Sequence, residues 1–341
     1  MKKVMFVVIV VMLLFIIPFS VQGWGPATHT YISNELLDNP EGNAVLMACA
    51  QNQECREAFL AGSEIPDITV VYYFEKGGEK YRATHNWNFQ QNIMAQATNE
   101  REVAFAWGVA QHLISDTIAH QDVVPNAIAS HGIPNWLLHP LLEQKYDSYI
   151  KETKPELVEQ SAHMFDAIIY GQYGSRYVQM VENAIPAGTI NVQEHVIKLA
   201  AAFGSFYNPE GGAYKPENVG IFGVYPFVTG IADWMSPVTS ISGVDQINTA
   251  LDKTLQQNRN IYNNWGARHA LIPHGFDDLH NAEIEGGAWF FSVMFTIFII
   301  AIFVVPIVAY IYFKKIIVIP IVLAIMVTSL IAWFLFIYMT L

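Results

Sequence analysis

The segment Ala104–Asn126 (AFAWGVAQHLISDTIAHQDVVPN) sets two histidines and an aspartate into a stretch that is otherwise apolar nearly all round. His112, Asp116 and His120 follow one another at intervals of four. Four residues of α-helix turn roughly 400° and rise about 6 Å, so the spacing predicts all three side chains along one face. A helix that is apolar on its other faces is a buried helix. A buried carboxylate needs a partner of opposite charge, and this segment has no Lys or Arg after Arg101. A divalent cation meets that need and uses both imidazoles. The bland alternative is a core histidine pair with Asp116 bonded to backbone.

Hydrophobic residues make up 52% of the 341, and charged residues only 14%, which is more apolar than an ordinary soluble domain. The excess lies in three runs: 4–19, roughly 288–313 and roughly 316–340. The first follows Met1-Lys2-Lys3 and ends in small residues, Val21 and Gly23 standing at −3 and −1 of a cut before Trp24. That is the pattern of a secretory signal, with an uncleaved N-terminal anchor as the alternative. The last two runs reach the ~20 residues that cross a bilayer as a helix. Lys314 and Lys315 between them place the tip of the hairpin on the cytoplasmic side. The expected organisation is a signal or anchor at 1–23, an extracytoplasmic domain at 24–285 and a transmembrane helical hairpin at 286–341. The chain is thus expected at a membrane, with its main domain on the outer side.

Lys2, Lys3, Lys314 and Lys315 fall outside that domain, which leaves it 14 basic against 30 acidic residues and a formal charge of −16. A surface this acidic repels phosphate backbones and anionic lipid, so nucleic acid is an unfavourable partner. The sequence says nothing of protein partners. Cys49 and Cys55 are the two cysteines, and an extracytoplasmic setting permits a disulfide between them or leaves two thiols.

The domain reads as all-α. Helical patterning covers 29–38, 41–60, 100–120, 135–150, 155–171, 174–184, 191–207 and 243–263, with a Gly- and Pro-rich connection at 208–226. Ile68–Phe74 is the one fair strand candidate, equally readable as loop.

Further donors surround the central helix. Asp67 follows Pro66, His85 lies in RATHNWNF, and His139 and Glu143 share a helical face at a spacing of four. His, Asp and Glu without thiolate suit hydrolytic zinc with positions left open for water. Near the start stand Trp24 and His29. A cut before Trp24 frees an α-amine with a pKa near 7.7–8.0, cheap to deprotonate for a metal, and the adjacent carbonyl completes a chelating pair.

In order, the chain carries WGPATH, PD, THNW, HLISDTIAH and HPLLE. Over about Trp24 to Ile150 this series resembles the zinc-dependent phospholipase C family, related to the fungal single-strand nucleases and to the N-terminal domain of glycosylphosphatidylinositol-specific phospholipase D. FAWGVAQHLISDTIAH and THNW look most like the phospholipase D branch. The resemblance implies a multi-helix fold and up to three zinc ions. It assigns Asp67, His85, His112 and Asp116 to the first, and Trp24 (amine and carbonyl), His29 and a shared Asp116 to the second. His120, His139 and Glu143 fall to the third. The Asp116-to-His120 step is shorter than in the secreted bacterial members, and His131 is an alternative to His120 or His139. Asp116 would bridge two ions that acidify a shared water, and Asp67 would orient or deprotonate it.

The resemblance therefore implies a phosphodiesterase acting on phospholipid headgroups or another phosphoester, and the apolar runs give the expectation that it is tethered to a membrane. A nuclease or nucleotidase is the enzymatic rival, and a non-catalytic membrane protein with a structural zinc cluster the other. The cluster His269, His274, Asp277, Asp278 and His280 reads as a solvated juxtamembrane loop, and His163, Asp166 and His195 as ordinary surface or core residues. Tyr72, Tyr73, Phe74, Trp87 and Phe89 line a pocket or simply pack.

Overall fold

The computed structural model describes residues 24–72, 82–123, 126, 143, 145–147, 149–197 and 244–267. Among these residues every regular element is helical, so the all-α expectation holds for them. The chain divides into two units, and every element below belongs to the one formed by Ser20–Val124 and His139–Ala282. The apolar runs at both ends, the 208–226 connection, His131, His139 and the 269–280 cluster lie outside the described residues. Among the described residues no helix is long and apolar enough to cross a membrane.

Helix α1 spans Pro26–Asp38 and opens with proline at its first position, where a missing N–H removes nothing from the helix. The stretch 41–60, expected as one helix, is two: α2 at Ala44–Gln51 and α3 at Gln53–Glu64. Asn52 divides them. Its backbone is extended and its side chain accepts the N–H groups of Glu54 and Cys55, which starts a new helix rather than continuing the old one. A disulfide between Cys49 and Cys55 joins the pair.

A 3-10 helix, Ile65–Tyr72, follows, where a strand or loop was expected from Ile68 onward. The Thr69 hydroxyl donates to the Pro66 carbonyl at 3.3 Å and tightens the turn. Asn86 caps α4 (Trp87–Gln96), and Asn99 caps α5 (Glu100–Ile118). Beyond them come α6 (Pro155–Tyr170), α7 (Gly174–Ala184) and α8 (Val244–Asn263). Residues 143, 145–147 and 149–153 are helical as well, as are 192–197.

Two glycines decide how the core closes. A Cβ on Gly62 of α3 would lie 2.0 Å from the Phe105 carbonyl oxygen, and one on Gly108 of α5 would lie 1.9 Å from that of Phe59. The two helices therefore touch backbone to backbone, an approach that any side chain would prevent. Phe59, Phe89, Phe105 and Val109 are buried around the crossing. Each such side chain contributes about 2 kcal/mol of apolar burial.

Helix α8 seals the other side of α5. The Tyr262 hydroxyl donates to the Trp107 carbonyl at 2.7 Å, and Asn258 Nδ2 donates to Ser115 Oγ at 2.9 Å. Ser115 also accepts from Gln111 Nε2 at 2.8 Å, and Gln111 Oε1 accepts from Ser33 of α1 at 3.0 Å. A buried polar chain thus ties α8 and α1 to the helix that carries His112 and Asp116.

Candidate metal centre

Five side chains from four places in the fold meet with no exposed surface. His29 comes from α1, Asp67 from the 3-10 helix, His85 from just before α4, and His112 and Asp116 from α5. One ligand atom from each of His29, Asp67 and His112 lies within 4.8 Å of the others, and so does one from each of His85, His112 and Asp116. His112 Nε2 stands 3.0 Å from Asp116 Oδ2 and 3.6 Å from Asp67 Oδ1. His85 Nε2 is 3.6 Å from Asp67 Oδ1 and 3.8 Å from Asp116 Oδ2. Asp116 Oδ1 faces His29 Nε2 at 3.2 Å and accepts the Trp24 backbone N–H at 3.2 Å. His112 is the member common to both groups, while Asp116 reaches His85 and His112 through Oδ2 and His29 through Oδ1.

The rings are held from behind. His112 Nδ1 donates to the Ser63 carbonyl at 2.7 Å, across the glycine crossing of α3 and α5. Thr84 Oγ1 donates to the Pro66 carbonyl at 2.7 Å and stands 3.0 Å from His85 Nδ1. With its proton committed to Pro66, the hydroxyl accepts from His85. Both Nε2 atoms are thereby turned toward the carboxylates, the arrangement that metal-ligating histidines require.

The electrostatics are those of a site short of positive charge. Burial, the largest single influence on His112, pulls it down, yet Asp116, Asp67 and the Ser63 carbonyl together hold it at about 9. Burial lowers His29, with the neighbouring His112 adding to it. Asp116 lies well below the ordinary carboxylate range in spite of its burial, chiefly through His112. Asp67 Oδ1, Asp67 Oδ2 and Asp116 Oδ2 are buried and receive no hydrogen bond among the described residues. Carboxylates in such surroundings demand a cation. The donor set, three imidazoles and two carboxylates, fits zinc.

Of the remaining expected ligands, Trp24 reaches the cluster through its backbone N–H on Asp116, and His120 and Glu143 are in neither group of close donors. His120 is buried, but it does not continue the α-helix: Ala119–Val123 form a π turn. The regular α-helix that carries His112 and Asp116 thus ends at Ile118, short of the His120 that the spacing placed on it. Glu143 is buried in a helical stretch. Trp24 is buried with its ring 4.5 Å from that of Tyr146. Of the discounted histidines, His163 is exposed and His195 bonds the Asn191 carbonyl of its own turn at 2.7 Å.

Sequence reasoning passed over three residues around the centre. Glu64 accepts from Thr30 Oγ1 at 2.8 Å, and burial pushes its carboxyl well above the ordinary range. Thr84 orients His85. Asp147 accepts the backbone N–H groups of Ala27 and Thr28. Asp147 alone had a usable signal, since it continues the spacing of four through His139 and Glu143.

Residues 28–182 match the zinc-dependent phospholipase C family. The match takes in His29, Asp67, His85, His112 and Asp116, together with His120, His139 and Glu143. The family is zinc-dependent, and the two buried groups are placed to hold that ion. No curated protein and no solved structure matches this chain.

Proposed function

We propose that the chain is a zinc-dependent phosphodiesterase of phospholipase C type, tethered to a membrane and acting on phospholipid headgroups. One observation carries the reading. Within a stretch that matches the zinc-dependent phospholipase C family, five fully buried His and Asp side chains converge, and both oxygens of Asp67 receive no hydrogen bond among the described residues.

Asp67, His85, His112 and Asp116 would hold one ion, and His29, Asp116 and, once the chain is cut before Trp24, that residue's amine and carbonyl a second. His120, His139 and Glu143 are the proposed ligands of a third. Bound zinc supplies Lewis acidity toward phosphoryl oxygens and acidifies water to a pKa near 7. Asp116 is shared between the two halves and keeps them in register. Asp67 orients the attacking water or takes its proton. Ser63 and Thr84 fix the rings of His112 and His85, and burial of the cluster keeps bulk water from screening it. The water oxygen would bond to phosphorus, the P–O bond to the glyceride oxygen would break, and that oxygen would take a proton, so that phosphorylated headgroup and diacylglycerol are released.

The tether is read from the apolar runs near 288–313 and 316–340, and the extracytoplasmic side from the basic pair between them. The Cys49–Cys55 disulfide supports that side, since disulfides persist in oxidising compartments. Tethering keeps the site near a lipid surface without any new contact.

The test is an assay of the zinc-loaded full chain on mixed phospholipid vesicles and on single-stranded DNA, each with and without a chelator. Chelator-sensitive release of phosphorylated headgroup is the expected result. Cleavage of DNA alone would move the chain to the nuclease branch. Tightly held zinc with neither activity would favour a structural cluster.

A further inference from the structure

We propose that Asp147 is a positioning residue that seats the Trp24–His29 segment against Asp116 by capping the amino end of α1 from a distant helix. The inference rests on reading the buried cluster as a zinc centre.

Helix α1 begins after Gly25, which has no side chain to cap the exposed N–H groups of the first turn. Asp147 does so from 119 and 120 positions further along. Its Oδ1 accepts from Thr28 N at 2.9 Å and from Thr28 Oγ1 at 2.7 Å, and its Oδ2 accepts from Ala27 N at 3.3 Å. Asn52 makes the same pair of bonds at the start of α3, but from the local N-cap position. The Asp147 carboxylate takes both, is itself buried, and puts negative charge at the positive end of the helix.

Gly25 is the other half of the device. A Cβ there would lie 2.4 to 2.7 Å from the three atoms of the Asp147 carboxylate. The missing side chain is the space that Asp147 fills. Next to it, the Tyr146 ring packs on the Trp24 ring at 4.5 Å. Tyr146 and Asp147 thus grip the segment at Trp24 and at Ala27–Thr28. His29 is the next residue, and its Nε2 stands 3.2 Å from Asp116 Oδ1. Asp147 follows Glu143 by four positions, so a proposed ligand and the clamp are close neighbours in sequence. The clamp belongs to the positioning of ligands rather than to the ligand set.

The test uses the full chain as wild type, Asp147→Ala, Asp147→Asn, Gly25→Asp, and the double variant Gly25→Asp with Asp147→Ala. Zinc chloride titration reads affinity, and hydrogen exchange reads the Ala27 and Thr28 amides. Asp147→Ala is expected to weaken the zinc held with His29 by roughly tenfold and to speed exchange at both amides, while the remaining zinc stays. Should that variant fail to fold, Asp147→Asn keeps the shape, accepts on one oxygen only, and is expected to show the same two effects in milder form. Gly25→Asp alone forces two carboxylates together and also loses affinity. The double variant returns a carboxylate to the cap from the local position and regains both protection and affinity.

Wild-type zinc uptake that is unchanged in both Asp147 variants would overturn this role and leave the zinc reading standing. A double variant no better than Asp147→Ala would overturn the capping argument. A wild-type chain that takes up no zinc would overturn the zinc reading and this role with it.

Discussion

His112 Nδ1 donates to the carbonyl oxygen of Ser63 at 2.7 Å, across the closest approach of two helices. That distance depends on residues with no side chain at all. Gly62 and Gly108 let α3 and α5 meet at their backbones, and the contact brings Ser63 under the ring of His112. The orientation of a proposed ligand is therefore set by packing one turn away.

Gly108→Ala is the direct check of that link. Its Cβ would sit 1.9 Å from the Phe59 carbonyl, so the helices must separate. Overpacking of this kind costs about 1–3 kcal/mol, and the upper end is expected where the obstacle is backbone. Urea unfolding should show the loss. Zinc affinity should fall with it, because the Ser63 bond to His112 is stretched.

The Glu102–Arg176 pair predicts a pH dependence away from the centre. Arg176 above all, with Thr98, lowers the Glu102 carboxyl to about 2 against its burial. Arg176 Nε donates to Glu102 Oε1 at 3.0 Å. A depressed carboxylate stabilises the fold fully above its ordinary pKa near 4.5 and loses that contribution as pH falls toward about 2. With Arg176 about a third exposed, solvent screening holds the contribution to about 1 kcal/mol. Glu102→Gln should therefore be less stable than wild type above pH of about 5, with the gap closing as pH drops toward about 2. A gap that stays constant in acid would contradict the assignment.

Replacing Cys49 and Cys55 with serine should lower stability by about 2 kcal/mol, the value expected for so short a loop. Neither sulfur touches the cluster, so zinc content should be unchanged. Loss of zinc in that variant would show that α2 and α3 hold the centre more directly than their contacts indicate.

Asn258→Ala should remove the donor that α8 gives to Ser115 and cost about 1–2 kcal/mol. Thermal unfolding reads it. The region after residue 182 would thereby be shown to brace α5, a role outside the family match.

Much of the centre was legible because its chemistry conflicts with its surroundings. His112 and Asp116 in an apolar helix could not be explained by packing, and His29, Asp67 and His85 carried recognisable neighbours. The structure brings those five together. The π turn at Ala119–Val123 was not legible, since a change of helical register leaves no mark in a spacing of four. The break at Asn52 was overlooked inside a continuous apolar pattern, although Asn is a capping residue. Gly62 and Gly108 looked like ordinary helical glycines until each was seen to face the other helix. Asp147 continued the spacing of four through Glu143, but its role was not legible: its partners lie about 120 residues away, and only the fold makes it the cap of α1.

The central claim is that the buried cluster is a zinc centre joined through Asp116. Elemental analysis of dialysed wild-type chain and of Asp116→Asn tests it most directly. The account predicts about two zinc ions or more in the wild type, with two lost together in the variant while the fold persists. A wild-type chain without zinc, or an Asp116→Asn chain that keeps its full complement, would contradict it.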